Sequence, residues 1–366
     1  MSYIASMLSV HLTRGFGSLW GACASPAAVL AAACAMTACG GSGDEPAPAQ
    51  TIRVPRDAPN IAAAIAQAPW GYTVLLDDGV YLGAQNRRLD AGAKQIKLRS
   101  RSGAGGAIVD CEGVGPFITF GVQAALSSEV TGLTVRNCAA DIAGAIELVA
   151  AAPLIAGNVF ENTSQPPVMG VQISGNGASA NIQRNVFRNT DCNDGFLSGV
   201  LAFINVSSPY VANNIFVQNR CRAINMILPV EAAPIVVNNT IVANTGGIRV
   251  DRNLGTALHW YGNNLIVGNT VGVDVESEYL PRAGEFVTFH GNLVFGNTQN
   301  YAGTADLTGR QGNLSADPLL FATPTDLRPR PGSPVQDAGV APHAPRDDFD
   351  GRARAGAVDI GAFEVQ

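Results

Sequence analysis

The sequence predicts an all-β chain wound into a right-handed parallel β-helix of about eight turns, with a helical cap at its start. The first observation is a short motif that recurs from residue 133 to residue 298, as LTVRNC, GNVFENT, RNVFRNT, NNIFVQN, NNTIVANT, NNLIVGNT and GNLVFGNT. The second is the nearly constant interval between its copies, whose second asparagines are Asn137, Asn162, Asn189, Asn219, Asn244, Asn269 and Asn297. Intervals of this length are typical of stacked arrays in which each copy forms one turn.

Each copy contains short β-branched or aromatic runs bounded by Gly, Asn, Asp and Pro, which favour strands of four or five residues. Apolar and polar residues alternate in GVQIS (170–174), GIRVD (247–251) and GVDVE (272–276), so one face points inward. Stacking then predicts an interior ladder of Phe160, Phe187 and Phe216, continued by aliphatic residues. The repeated asparagines suit the turns, where Asn tolerates left-handed backbone.

The two ends of such a stack need covering, because an open end exposes a sheet edge and an apolar core. Residues 51–89 supply the N-terminal cap, with an amphipathic helix that starts near Asn60 and stops near Pro69, before the first strand. The repeats occupy residues 90–312, and residues 313–366 form a C-terminal domain. The DDFDG run, 347–351, lacks the distal Glu of a calcium loop and is interpreted as turn structure.

These features resemble known families. The cap and the turns over residues 51–312 resemble the parallel β-helix repeats of the pectate-lyase-like superfamily, a likeness that specifies fold better than activity. The C-terminal segment resembles the choice-of-anchor Q domain that follows β-helices in bacterial surface proteins. That second likeness is carried by Asp317, Pro318, Leu327, Gly332, Ser333, Pro334, Asp337, Gly339, Asp350, Gly351, Arg352, Asp359, Gly361 and Glu364.

Residues 1–38 are interpreted as an export signal, with one basic residue, Arg14, and an apolar stretch too short to span a bilayer. MTAC, ending at Cys39, resembles the lipobox of bacterial lipoproteins, which implies lipidation of Cys39 and a membrane anchor at the outer membrane or cell surface. Residues 39–50 then form a flexible tether. The alternative is a plain secretory peptide cut elsewhere, and the side of the membrane that the protein faces stays open.

Four further cysteines, Cys111, Cys138, Cys192 and Cys221, allow three pairings. The interval from Cys111 to Cys138 matches the interval between copies of the repeat, and so does the interval from Cys192 to Cys221. Each of these pairs is therefore separated by one turn. A rise of about 4.8 Å per turn lies within the Cα separation that a disulfide accepts. These two bridges are predicted, against the alternative of four buried thiols.

Net charge and the absence of known motifs exclude several classes of function. The net charge of −6 argues against a nucleic-acid partner, which would require a basic surface. The chain has no GxSxG elbow, P-loop, dinucleotide fingerprint or HExxH motif. His259 precedes the inward-pointing Tyr261 by two residues, so alternation places it in the core rather than in a site.

Charged residues gather on the outward face of the first strand of two neighbouring turns. Aligning the turns by their Gly or Ala starts gives one column of Glu147, Gln172, Asn225, Arg249 and Asp274, and a second of Val149, Ser174, Ile227, Asp251 and Glu276. The arrangement is similar to the calcium-and-arginine site of pectate lyases. It predicts calcium held by Asp251, Asp274 and Glu276, Arg249 as the catalytic residue, and Arg252 and Glu278 as substrate contacts.

Two functions follow from this sequence. The first is a surface-anchored, monomeric protein that binds an acidic polysaccharide and cleaves it by β-elimination, where calcium neutralises the uronate carboxylate and a base takes the C5 proton. Carboxylates on neighbouring turns would also suit acid–base hydrolysis by a glycoside hydrolase. The second is a non-catalytic surface or adhesion protein, in which the same charges only keep the solenoid soluble.

Overall fold

Three parallel sheets form the sides of the computed structural model, which describes residues 50–122, 128–138, 144–161, 173–192, 198–227, 231–251, 257–276 and 287–365. After the first strand, the described chain visits the three sheets in rotation, so each strand pairs with the strand three positions later. Nine successive turns in this part of the chain each supply one strand to each sheet. The predicted parallel β-solenoid is confirmed. The described residues form nine turns rather than about eight, because the first turns lack the asparagine motif that marks the later ones.

The strands are numbered in chain order. Sheet A contains β1 (Thr51–Val54), β2 (Thr73–Leu76), β5 (Lys97–Ser100), β8 (Glu129–Thr131), β11 (Leu154–Ala156), β14 (Asn181–Gln183), β17 (Tyr210–Ala212), β20 (Ile235–Val237), β23 (His259–Gly262) and β26 (Val287–His290). Sheet B contains β3 (Gly79–Tyr81), β6 (Ala107–Asp110), β9 (Thr134–Arg136), β12 (Val159–Glu161), β15 (Val186–Arg188), β18 (Ile215–Val217), β21 (Thr240–Val242), β24 (Leu265–Val267) and β27 (Leu293–Phe295). Sheet C contains β4 (Leu89–Gly92), β7 (Ile118–Phe120), β10 (Ile146–Val149), β13 (Ile173–Asn176), β16 (Leu201–Ile204), β19 (Arg222–Ile227), β22 (Gly246–Val250), β25 (Val271–Val275) and β28 (Gln299–Ala302).

The N-terminal helix α1 spans Ile61–Gln67 and ends, as predicted, just before Pro69. Asn60 caps it, since its side-chain oxygen accepts a hydrogen bond from the backbone N–H of Ala63 at 2.9 Å. Ile61, Ala64 and Ile65 lie on one face and pack into the solenoid core. No helix in the described ranges is long and apolar enough to cross a membrane.

An aromatic ladder runs through the interior, as the repeat predicted. The rings of Phe160 and Phe187 stack at 5.0 Å between centroids, and those of Phe187 and Phe216 at 4.8 Å. The same position in the next turns holds aliphatic residues, Ile241, Ile266 and Val294. Parallel in-register pairing places identical positions one above another, which explains why a repeated residue becomes a stack.

The asparagines have two roles, of which the sequence predicted one. Asn137 and Asn189 have the left-handed backbone expected of turn residues, with φ of 54° and 56°. The prediction was wrong for the second asparagine of later copies, because Asn219, Asn244 and Asn269 are buried and each donates a side-chain hydrogen bond to the asparagine of the next turn at 2.8 to 3.0 Å. They form a B–C corner ladder of Asn219, Asn244, Asn269, Asn297 and Asn300.

A second ladder occupies the corner between sheets A and B, again with side-chain amide contacts of 2.9 to 3.0 Å. It consists of Asn158, Asn185, Asn214, Asn239, Asn264, Asn292 and Asn313. The residue before each ladder member has left-handed backbone, so in each NN pair the first asparagine makes the turn and the second enters the ladder. Amide side chains suit this because each donates to one neighbour and accepts from the other. Asn162 lies outside the described residues.

Both predicted disulfides are present. Cys111 and Cys138 are bonded with Cα atoms 4.7 Å apart, and Cys192 and Cys221 with Cα atoms 5.1 Å apart. Each bridge links two neighbouring turns at the corner between sheets B and C. Such bridges indicate an exported or extracellular protein, because the cytosol keeps thiols reduced.

The C-terminal segment, residues 315–365, lies along the outer face of sheet B and includes an antiparallel pair, β29 (Leu320–Ala322) and β30 (Asp326–Pro329). Leu327 and Phe363 pack against Val217 and Val242. Turn asparagines hydrogen-bond to it, for example Asn238 Nδ2 to the Asp359 carbonyl at 2.9 Å. The DDFDG run forms turn structure, as predicted: buried Asp348 accepts backbone N–H groups of Arg352 and Glu364. The segment therefore covers a side of the solenoid.

Candidate functional site

One column of side chains on the outward face of sheet C contains the predicted charges. Strand pairing aligns Thr119, Glu147, Ser174, Ala202, Asn225, Arg249, Asp274 and Ala302. The prediction that Glu147 aligns with Gln172 was wrong: Glu147 pairs with Ser174, and Gln172 lies outside the described residues. Backbone hydrogen bonds between strands set this register, whereas the position of the preceding glycine does not.

Two neighbouring turns bring the predicted charges together on this face. Arg249 Nη1 lies 3.2 Å from Asp274 Oδ2, and Arg249 Nη2 lies 4.0 Å from Glu276 Oε2. The three side chains are 23%, 28% and 24% exposed, so they are screened from solvent yet reachable. Alternation explains their direction, since Ile248, Val250 and Val273 beside them are buried in the core.

A small cavity of about 100 Å³ adjoins this cluster and is lined by both Arg222 and Arg249. Arg222 begins strand β19 one turn earlier and was not among the predicted site residues. Arg222 pairs with Gly246, and a Cβ atom at residue 246 would lie only 2.9 Å from Arg222 Cγ. The glycine therefore leaves room for the arginine stem. Two guanidinium groups at one cavity favour an anionic ligand, since each presents N–H donors to carboxylate oxygens.

The predicted calcium ligands do not gather in the same way. Asp251 is only 3% exposed, and Asp274 and Glu276 both lie against Arg249. Over the described ranges, no group of three or more His, Cys, Asp or Glu side chains is arranged to hold a metal ion. Calcium at these residues therefore stays a prediction. Arg252, Glu278 and Cys39 lie outside the described residues.

The remainder of the sheet C face is less charged. Ala202, Ile204 and Ile227 form a small apolar cluster directly before the charged turns. Nearer the N-terminus, Thr119 Oγ1 lies 3.1 Å from Glu147 Oε2 as a hydrogen-bond donor. An elongated ligand along this face would therefore meet apolar surface next to the arginines, a combination that suits a sugar chain with charged and C–H faces.

Comparisons with known proteins add structural likenesses. No family model matches the chain, and no curated protein matches it. Among solved structures, the pectate lyase Pel9A is 13% identical, with a TM-score of 0.43 over 84% of this chain and 91% of that one. A mannuronic acid specific polysaccharide family 6 lyase from human gut microbiota is 13% identical, with a TM-score of 0.32 over 76% and 88%. The PL6 family polysaccharide lyase Pedsa3628 from Pseudopedobacter saltans is 11% identical, with a TM-score of 0.26 over 73% and 92%. Likenesses this distant carry no inference about activity.

Proposed function

We propose that this protein is an exported solenoid that binds an acidic polysaccharide along the outer face of sheet C, with Arg222 and Arg249 contacting sugar carboxylates. The observation that carries the proposal is the cavity lined by both guanidinium groups. A uronate carboxylate would compete with Asp274 and Glu276 for Arg249, and these acidic groups would limit affinity for a single sugar. Repeated contacts along the face would then supply the affinity of a longer chain.

Binding should be measured by calorimetry with oligogalacturonate and alginate oligosaccharides. Replacing Arg249 by Gln keeps a polar, though shorter, side chain and removes the charge, and we expect affinity to fall about tenfold or more. Arg222→Gln should behave in the same way. Arg56→Gln is the matched control, since that side chain is 68% exposed and pairs with Asp57 near the N-terminus, away from sheet C. Equal affinity in all three variants would contradict the proposal.

Cleavage by β-elimination is a second candidate, favoured by the contact between Arg249 and two carboxylates. In this chemistry the guanidinium neutralises the uronate carboxylate and a carboxylate accepts the C5 proton. The C4–O bond then breaks as the C4–C5 double bond forms, and the leaving oxygen takes a proton from water to become a hydroxyl group. Ultraviolet absorbance of the unsaturated product, followed with added calcium and with chelator, tests it. A signal lost in Arg249→Gln supports elimination. Binding without any absorbance change supports the non-catalytic surface function instead.

Lipidation of Cys39 belongs to the same proposal, since it would hold the solenoid at a bacterial membrane. A lipoprotein cysteine carries several acyl chains, which makes such an anchor stable. Expression of the full chain in a bacterium that processes lipoproteins, followed by mass spectrometry of the mature N-terminus, tests this. Detergent-phase partitioning that disappears in Cys39→Ala supports the anchor, whereas a soluble product cut elsewhere supports a plain secretory peptide.

A further inference from the structure

A larger cleft lies at the corner between sheets A and B, on the side of the solenoid opposite to sheet C. Its volume is about 540 Å³, within the range of ligand pockets. One wall is the solenoid corner, with Leu154, Ala156 and Val159, and the other is Phe349 and Gly351 of the C-terminal segment. We call it the flank cleft.

Arg184 lines the flank cleft from an unusual position. It has left-handed backbone, with φ of 51°. The equivalent residue in the neighbouring described turns is always glycine or asparagine, at Gly132, Gly157, Asn213, Asn238, Asn263 and Gly291. This conformation is sterically unfavourable for arginine, because the Cβ atom crowds the backbone.

Within the described part of the chain Arg184 makes no ion pair, and Asp350, which also lines the cleft, pairs instead with Arg328 and Arg352. The Arg184 side chain extends over the C-terminal wall, because a Cβ atom at Gly351 would lie 3.6 Å from Arg184 Nη1. A second positive centre, Arg99, stands at the far end of the cleft beside Glu129, a carboxylate that also pairs with Lys97.

The two positive centres are separated by three turns, because Arg99 pairs with Thr131, Thr131 with Ala156 and Ala156 with Gln183 beside Arg184. Three inter-strand steps amount to roughly 14 Å. One small anion cannot reach both centres. An elongated ligand with several anionic groups can reach both centres. Its apolar surface would pack on the solenoid corner and on Phe349.

We propose that the flank cleft is a second binding site for an acidic oligosaccharide, in which Arg184 and Arg99 contact separate anionic groups. The choice of a saccharide over another polyanion rests on the proposed function. With one site on sheet C and one on the opposite corner, a single molecule would hold two polysaccharide chains.

The test replaces Arg184 by Asn, the residue that three other turns use at this position. This variant removes the charge and relieves the backbone, so its stability should equal or exceed that of the wild type. Binding of oligogalacturonate, alginate oligosaccharides and poly-L-glutamate is measured by calorimetry at low and moderate salt. Arg56→Gln, a control with a side chain 68% exposed near the N-terminus, matches the charge change.

We expect two binding events in the wild type, of which Arg184→Asn weakens one about tenfold while Arg249→Gln weakens the other. If Arg249→Gln alone weakened binding, and Arg184→Asn bound as tightly as Arg56→Gln, the flank cleft would be overturned and the sheet C site retained. If Arg184→Asn alone weakened binding, the sheet C site would be overturned and the flank cleft retained. Binding of poly-L-glutamate as tight as that of the oligosaccharides would overturn the saccharide assignment, and an absence of binding to every probe would overturn both sites.

Discussion

Replacing Asn239 by alanine interrupts the A–B corner ladder near its middle, and the structure sets the expected loss of stability. Asn239 is fully buried. Its Oδ1 accepts the backbone N–H and the side-chain amide of Asn214, both at 3.0 Å. Its Nδ2 lies 3.0 Å from each of three acceptors, Asn264 Oδ1 and the carbonyls of Val211 and Val237. One truncation therefore removes five hydrogen-bond contacts in a site without access to solvent.

These contacts are not equivalent. The side-chain amide of Asn214 keeps two other acceptors, the carbonyls of Ile182 and Ala212, and Asn264 Oδ1 keeps the backbone N–H of Asn239. The backbone N–H of Asn214 is left without an acceptor, which costs about 1–3 kcal/mol. The weakened contacts and the cavity add about 1–2 kcal/mol. We expect the free energy of unfolding to fall by about 2–5 kcal/mol.

Chemical denaturation gives that free energy, and amide hydrogen exchange adds a local readout at Asn214. Asn189→Gly is the matched control, because Asn189 is an exposed turn residue whose left-handed backbone glycine also adopts. That variant should change stability by less than about 0.5 kcal/mol. If Asn239→Ala matched Asn189→Gly, with Asn214 equally protected from exchange, the ladder would not stabilise the fold and the reasoning would be refuted.

Two further predictions concern buried groups. Burial lowers the pKa of His259 to about 4. In the unfolded chain the pKa of this histidine is near 6.5, so the unfolded state binds the proton more strongly. The free energy of unfolding should therefore be constant above pH 6.5 and fall by up to about 1.4 kcal/mol per pH unit towards pH 4. Denaturation at several pH values checks this, and a slope that persists unchanged in His259→Leu would contradict it. Replacing both Cys192 and Cys221 by serine should lower the unfolding free energy by about 2–4 kcal/mol. Denaturation without reductant measures this loss, and wild-type stability in the double variant would contradict it.

The candidate site was predicted in part. The adjacency of Arg249 and Asp274 followed from aligning two neighbouring turns of equal length, and the structure places the two side chains in contact. Arg222 was missed because it precedes the alternating run, although its register partner Gly246 was a visible signal. The alignment of Glu147 failed because the intervening copy differs in length, so the position of a preceding glycine no longer indicates register.

The sequence by itself determined the solenoid, its phenylalanine stack and its two disulfides, because parallel stacking converts a spacing of one turn into a spatial contact of about 4.8 Å. The tertiary structure alone decided which asparagines turn the chain and which enter the buried ladders, since both roles favour the same residue type. It also decided where residues 315–365 lie, because their contacts with the sides of sheets A and B join residues far apart in the sequence, as between Asn238 and Asp359. No local pattern encodes such a contact, and the flank cleft exists only because that segment is there.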